Sequence, residues 1–559
     1  MKYIELVELY EKISNISGRL DKVSIISEFI KNLNEKELKQ IVYLLQGRVF
    51  PSYNRSKLGI NDRLVIKSLS KVGGKSSKDV EQLWSDIGDL GDVSEKIKNM
   101  SSQSLLSKKE LTIEKVVDNI SNLANTEGKG AVDKKLQLIL ELISNANAKE
   151  AKYIVRTLIG DLRIGIKEGV IRDSIAKAYE KDVEEIQKVN DMINDYGDVA
   201  VKAKNNKLNE IEFKLGRPIK VMLAVLFTSI EEAFVSFGER IQVETKLDGF
   251  RAIISKDKDK VKIFTRGLED LSEQFPDVVK VIREIKEEKF MIDSEVVGYD
   301  KDTKEYLPFQ KISQRIKRKY DIEKISKEYP VEVNVFDVLY YKENLMEKKL
   351  EERREILEKI IKEEKGKIVL TKKIITDNEK EIEEFFEESL KKGYEGIMLK
   401  NLNSEYKPGR YVKGWSKLKK ILEPLDLTIV RGEYGTGKRA GWLTSFTLAC
   451  KNKEDYLEVG KVGTGIKEKT EGLTYKELTK LLKPLIKREE GKIVELNPGI
   501  VIEIGYEEIQ KSDSYSSGYA LRFPKVLRLR EDEKQLNEIN TVADVEKIYN
   551  SQSKITLHK

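Results

Sequence analysis

A chain of 559 residues, 39% hydrophobic and 36% charged, is globular but too long for one core, so two to four domains are expected. Its net charge of +7 permits a polyanionic partner without demanding one, and no apolar run reaches the roughly 20 residues of a membrane span. A single cysteine, Cys450, and a single histidine, His558, exclude an internal disulfide, a multi-cysteine zinc site and Ser-His-Asp catalysis, leaving Lys, Arg, Asp, Glu and oxygen-bound ions such as Mg²⁺.

The opening segment 1–12 (MKYIELVELYEK) alternates apolar and charged residues and has no signal-peptide core, so a cytoplasmic protein is expected. Residues 1–210 read as helices. Ile26, Phe29, Ile30 and Leu33 fall on one helical face, and Leu38, Ile41, Val42 and Leu45 repeat the spacing. Asn34 is a natural N-cap for the second of these helices, with Glu37 three residues on and Gly47 past its end. Residues 73–79 (GGKSSKD) read as a loop, and another helical stretch runs through Ile154 and Leu158 toward Arg163. After the polar stretch 203–210 the period falls to two, from about Gln242. Val261 and Ile263 alternate with lysines beyond the turn 256–260, as in a hairpin, and Val331, Val333 and Val335 alternate likewise. Residues 377–392 are helical, so 211–422 reads as a mixed α+β domain. From Glu423 to the end, short strands and Gly-rich turns (Leu425, Leu427 and Ile429, then 457–465 and 500–509) suggest a small barrel.

The chemistry centres on 244–251, ETKLDGFR. Lys246 stands before an Asp-Gly turn and is the best candidate nucleophile in a chain so poor in histidine. Lys-x-Asp-Gly alone is a weak signal and reads equally as a surface turn. Its company is specific: Glu244 and Arg251 beside it, Arg266 in 264–270, Glu295 in 290–299, Phe336 in 331–341, Glu395 in 395–400, and Arg410, Lys417 and Lys419 in 406–420. A lysine amine, with an ordinary pKa near ~10.4, is protonated at neutral pH. Arg251, Arg266, Lys417, Lys419 and a bound metal would favour its neutral form and stabilise charge on a phosphate. Glu295 and Glu395 suit Mg²⁺, and Glu295 also suits ribose hydroxyls. Phe336 can stack on a purine, a contact worth about 1–3 kcal/mol, although alone it would read as core. Glu244 can accept a hydrogen bond from adenine's amino group, which guanine does not offer there. Residues 432–439 (GEYGTGKR) have the spacing of a phosphate-binding loop, but Arg439 stands where a metal-binding Ser or Thr belongs. The following 441–450 reads as a strand rather than a helix, so this is a hairpin connection.

The ordered series from Lys246 to Lys419 resembles the motifs of the covalent nucleotidyltransferase superfamily: ATP-dependent DNA ligases, RNA ligases and capping enzymes. Residues 43–51 and 155–179 resemble the helical DNA-binding domain of the archaeal and eukaryotic replicative ligases, with Arg156, Arg163 and Lys167 as phosphate contacts. Residues 216–224 (GRPIKVMLA) resemble their linker, with Val221 in place of the usual proline. Residues 521–532 (LRFPKVLRLRED) resemble motif VI, with Arg522, Lys525, Arg528 and Arg530 at the matching positions; Glu533 precedes Lys534 where the family has lysine directly after the aspartate.

This resemblance implies an all-helical DNA-binding domain (1–210), an α+β, ATP-grasp-like adenylyltransferase domain (211–422) and a β-barrel OB-fold domain (423–559). It implies an ATP-dependent DNA ligase that carries AMP on Lys246, uses Mg²⁺, and seals nicks in double-stranded DNA during replication, repair and recombination. The enzyme would be monomeric and nucleoid-associated, of archaeal kind, and the Lys-, Glu- and Ile-rich composition resembles that of thermophiles. An NAD-dependent ligase would need a four-cysteine zinc site. A capping enzyme would lack the helical domain, an RNA ligase would prefer RNA ends, and a DNA-binding scaffold would not need the intact motifs. Residues 103–107 (QSLLS) loosely resemble a sliding-clamp box, beside the plainer reading of a loop with two core leucines.

Overall fold

The computed structural model describes the chain except residues 55–57, 101–109, 319, 420–421, 436–438, 440, 469–472, 531–532 and 554–559 and the side chains of 552–553. The sliding-clamp segment thus lies outside the described residues. The chain packs as two compact units, Met1–Val80 with Gly91–Ser389 and Tyr394–Leu418, and Glu81–Leu90 with Leu390–Gly393 and Lys419–Lys559.

The first unit begins with successive helices. Asn34 caps Glu35–Leu45 by accepting from the Glu37 backbone at 2.9 Å, and the helix buries Leu38, Ile41, Val42 and Leu45. Replacing such a cap with alanine costs about 1 kcal/mol. Two helical boundaries differ from expectation. The helix Asp62–Gly73 ends on left-handed Gly74 and the next begins at Ser77, so the 73–79 loop shrinks to 74–76. The helix Ala148–Leu158 stops short of Arg163, which lies in a loop with φ 56°.

Thirteen strands follow among the described residues of 222–419: β1 (Met222–Leu223), β2 (Val225–Leu226), β3 (Ile241–Lys246), β4 (Phe250–Asp257), β5 (Lys260–Thr265), β6 (Lys289–Gly298), β7 (Val331–Tyr341), β8 (Glu343–Asn344), β9 (Ile368–Leu370), β10 (Lys373–Thr376), β11 (Gly396–Asn401), β12 (Gly409–Arg410) and β13 (Trp415–Lys419). They form two principal sheets, ordered β10-β3-β11-β13-β2 and β5-β4-β6-β7-β8, with β9 paired to β7. β4 and β5 make the expected hairpin, closing at Asp257 opposite Lys260.

Three cores hold these sheets. The outer face of the first packs Val243, Ile397 and Leu399 on Ile382 and Phe385 of the helix Glu379–Lys391. The outer face of the second packs Ile254, Ile292 and Val335 on Val278, Ile282 and Leu357. A third core contains Met222, Ile253, Met291, Tyr406 and Trp415. Ile253 and Ile254, adjacent on β4, therefore serve different cores, as the two-residue period of a strand requires. β3 and the first part of β7 are buried on both faces, so the expected solvated alternation fails there. Glu332 and Asn334 of β7 are buried polar groups, both bonded to the Tyr306 hydroxyl.

The second unit contains β14 (Leu425–Tyr434), β15 (Leu443–Asn452), β16 (Asp455–Val462), β17 (Ile486–Glu490), β18 (Ile493–Leu496), β19 (Val501–Gly505), β20 (Glu508–Lys511), β21 (Tyr519–Arg522) and β22 (Lys525–Leu529). β14 pairs β15 along one edge and divides its other edge between β18 and β19. The segment after the near-miss phosphate loop is strand β15, as its sequence indicates, so no helix N-terminus follows that loop.

Candidate active site

β3 and β4 are consecutive in the chain but belong to different sheets, and residues 247–249 carry the backbone between them. A Cβ on Gly249 would lie 2.4 Å from the Val296 carbonyl oxygen of β6, so only glycine can take this path. Asp248 accepts from the Phe309 backbone at 3.0 Å, fastening the turn to the helix Phe309–Ile316. The Lys-x-Asp-Gly spacing is therefore a crossing between sheets that leaves Lys246 at a strand end.

Lys246 stands opposite Gly396 in the antiparallel β3–β11 register. Its amine donates to the Glu395 carboxylate, and the Glu395 backbone N–H donates to the Lys246 carbonyl at 3.1 Å. Glu295 is opposite Arg251 across β4–β6 and opposite Asn334 across β6–β7. Burial pushes the Glu295 carboxyl up to about 8; Lys246 and Arg251 oppose this, while Glu395 and Asp293 add to it.

Arg251 makes a two-pronged pair with buried Asp293, at 3.0 and 2.6 Å, and donates to the Met222 carbonyl at 2.6 Å and the Tyr406 hydroxyl at 3.2 Å. Its guanidinium also faces the Phe336 and Trp415 rings, 5.5 and 5.2 Å from their centres. Phe336 meets Trp415 edge to face, with centres 5.8 Å apart. Glu244 is buried and ion-paired to Lys400 at 2.5 Å.

The direct partner of the Lys246 amine is a carboxylate rather than any of the expected cations. Arg251 is committed to Asp293, because a guanidinium buried there requires a matched counter-charge. Arg266 is exposed in the turn after β5, and Arg410 is exposed on β12. Lys417 stands opposite Leu226 on the parallel β13–β2 pair, and Lys419 donates to Glu507 at 2.7 Å. Asp293, Lys400, Tyr406 and Trp415 were missed as site residues. Asp293 had a signal, lying two residues before Glu295 and so on the same side of β6.

In the second unit Arg522 pairs with Glu508 at 3.2 Å, and Lys525 is exposed. Arg528 and Arg530 both pair with Glu503 and with Glu533, while Lys534 reaches Asp426 at 2.5 Å.

Among the helices, the two segments singled out in the sequence meet at one hollow of about 500 Å³, lined by Gln46, Arg48, Asp161, Arg163, Lys167 and Glu168 among others. Arg156 does not present its charge to solvent as expected. It is buried, stacked on Tyr153 and hydrogen-bonded to Asp92 at 3.1 Å.

The chain matches three family models: DNA ligase N terminus over residues 2–176, ATP dependent DNA ligase domain over 221–419, and ATP dependent DNA ligase C terminal region over 439–533. It is 46% identical to a DNA ligase of Nanoarchaeum equitans and 38% identical to one of Thermococcus fumicolans, with 99% of both chains covered in each comparison. A solved structure described as Pmar-Lig_PreS3 shares the fold over 94% of this chain and 99% of its own, at TM-score 0.61 and 17% identity.

Proposed function

The chain belongs to the ATP-dependent DNA ligases, and from that premise we propose that it seals nicks in duplex DNA through an AMP carried on Lys246. The observation that supports this reading is the meeting of Lys246, Glu395 and Glu295 where the chain crosses between two sheets. Lys246 gives a proton to Glu395, and its amine attacks the α-phosphorus of ATP. A nitrogen–phosphorus bond forms as the bond to the bridging oxygen breaks and pyrophosphate leaves. An oxygen of the nick's 5′-phosphate then takes the AMP, returning Lys246 as a free amine. The 3′-hydroxyl finally attacks that phosphate and expels AMP. Dividing the condensation in this way replaces one high barrier with lower ones.

Among the described residues no cluster of three or more His, Cys, Asp or Glu could hold a metal alone. Mg²⁺ ordinarily binds one or two carboxylates together with substrate phosphates, so Glu295 and Glu395 fit an ion shared with ATP. When bound it supplies Lewis-acid polarisation and charge neutralisation at the phosphates. Phe336 offers its face to the purine. Arg266, Arg410, Lys417 and Lys419 serve the phosphates or the nick, and Arg251 with Asp293 holds the site together. Arg522, Lys525, Arg528 and Arg530 orient the leaving pyrophosphate.

We assign 1–210 to DNA binding, 211–422 to an ATP-grasp-like adenylyltransferase domain and 423–559 to an OB fold, together enclosing the duplex as a monomer. Arg163 and Lys167 would contact phosphates at the helical hollow. Work on chromosomal DNA puts the enzyme at the nucleoid, and no described helix is long and apolar enough to cross a membrane. Sealing of a nicked DNA duplex with ATP, GTP or NAD as the sole donor tests this function. ATP should support sealing and the others should not; sealing that requires GTP or NAD, or that acts only on RNA ends, would overturn the assignment.

A further inference from the structure

We propose that Lys400 sets the choice of purine by holding Glu244 as a fixed hydrogen-bond acceptor for the 6-amino group of adenine. The inference rests on Glu244 being the residue that reads the base. Glu244 of β3 is 1% exposed, and so is Lys400 of β11. The Glu244 carboxylate lies 2.5 Å from the Lys400 amine through one oxygen. The other oxygen accepts from Gln242 at 2.6 Å and lies 3.7 Å from an Arg354 guanidinium nitrogen. The Lys400 amine also stands 4.5 Å from the centre of Phe336 and 4.4 Å from that of Trp415. The base-reading carboxylate and the candidate stacking ring thus share one buried cation.

Four buried polar atoms on these side chains, Gln242 Oε1, Arg354 Nη1, Lys400 Nζ and Trp415 Nε1, make no hydrogen bond within the protein, and Lys400 holds Glu244 as an ion pair. Buried polar groups are nearly always satisfied, so this grouping points to a ligand bearing both donors and acceptors. A purine carries an amino donor and ring-nitrogen acceptors, one for each kind of unmatched atom.

An ionised carboxylate only accepts, whereas a protonated one also donates. Lys400, with Arg354 as the weaker second cation, supplies the Glu244 carboxylate with its counter-charge and fixes its direction, as an acceptor that suits the 6-amino group of adenine and not the 6-oxo group of hypoxanthine or guanine. The other charged groups around the couple are already paired: Asp337 of β7 with Arg353, and Glu358 with Lys373 of β10 and with Arg354. Lys400 itself is lowered by burial, with Glu244 and then Asp337 opposing the shift.

The test is labelling of the full chain with α-labelled ATP or ITP, which differ at the 6-position. The unaltered protein should prefer ATP. In Lys400→Met the ATP concentration for half-saturation should rise about tenfold with little change in maximal rate, and the ATP preference should fall about tenfold. Lys400→Arg should restore it. Should Lys400→Met not fold, Arg354→Met carries the test, in the same direction and by about threefold. Folded variants with unchanged preference would overturn the proposal. If Glu244→Gln also leaves the preference unchanged, the reading of Glu244 itself falls; if Glu244→Gln alone lowers it, only the part given to Lys400 does.

Discussion

Lys246 and Glu395 are tied twice, amine to carboxylate and backbone to backbone, across neighbouring strands β3 and β11. The pair sets the amine against the Glu395 carboxylate, the group in place to accept its proton. Glu395→Gln should therefore slow lysine adenylylation by roughly 10²–10⁴-fold, the range for loss of a positioned base. Rapid-quench measurement of the adenylylation step checks this.

Glu295 has a different signature, because burial raises its carboxyl from 4.5 to about 8. The folded protein therefore binds a proton there that the unfolded chain releases, and stability falls as pH rises from about 4.5 to 8. The cost at the alkaline end is at most about 5 kcal/mol by the pKa relation. Glu295→Gln should remove that slope and raise the unfolding temperature at pH 8.5 by a few degrees, while activity falls. Scanning calorimetry of the nucleotide-free protein at pH 5.5 and 8.5 gives the comparison. An unchanged pH slope would mean that Glu295 is ionised throughout.

Arg156, Arg163 and Lys167 part company in the structure, and solution behaviour should follow. Arg163→Ala and Lys167→Ala should weaken DNA binding at low salt and each reduce the slope of log affinity against log salt by about 1. Arg156→Ala should leave that slope alone and lower thermal stability instead, since it strips a buried contact with Asp92 and Tyr153. Fluorescence anisotropy on a labelled nicked duplex across a salt series separates the two outcomes.

Glu533 occupies Arg528 and Arg530 with a carboxylate of the protein's own. If these arginines receive the phosphates of ATP, that carboxylate competes with them. Glu533→Lys should lower the ATP concentration for half-maximal adenylylation by about two- to fivefold, a modest change because exposed ion pairs are weak. No change would show that phosphates do not meet these arginines.

The sequence disclosed the motif skeleton more readily than the contacts within it. Lys246, Glu295 and Glu395 were legible because strand ends, an Asp-Gly turn and carboxylates in apolar strands leave local marks. The helix beginning after Asn34 was legible for the same reason: its cap and apolar stripe lie within a dozen residues. Arg251 illustrates the limit. Its charge was evident, but its commitment to Asp293, Tyr406 and the Met222 carbonyl depends on strands brought together only by folding. Lys400 was hidden more deeply, since a lysine closing an apolar run reads as its solvated end. Only the β3–β11 pairing shows it buried against Glu244. Arg156 misled in the opposite way, because helical spacing alone does not reveal Asp92 waiting across a helix interface.

The most direct test of a covalent carrier is incubation of the full chain with α-labelled ATP and Mg²⁺, followed by mass mapping of the labelled peptide. One AMP should be found on Lys246 as an acid-labile phosphoramidate, absent from Lys246→Ala and discharged when nicked duplex DNA is added. Label that persists in Lys246→Ala, or sealing of nicks by that variant, would contradict the account.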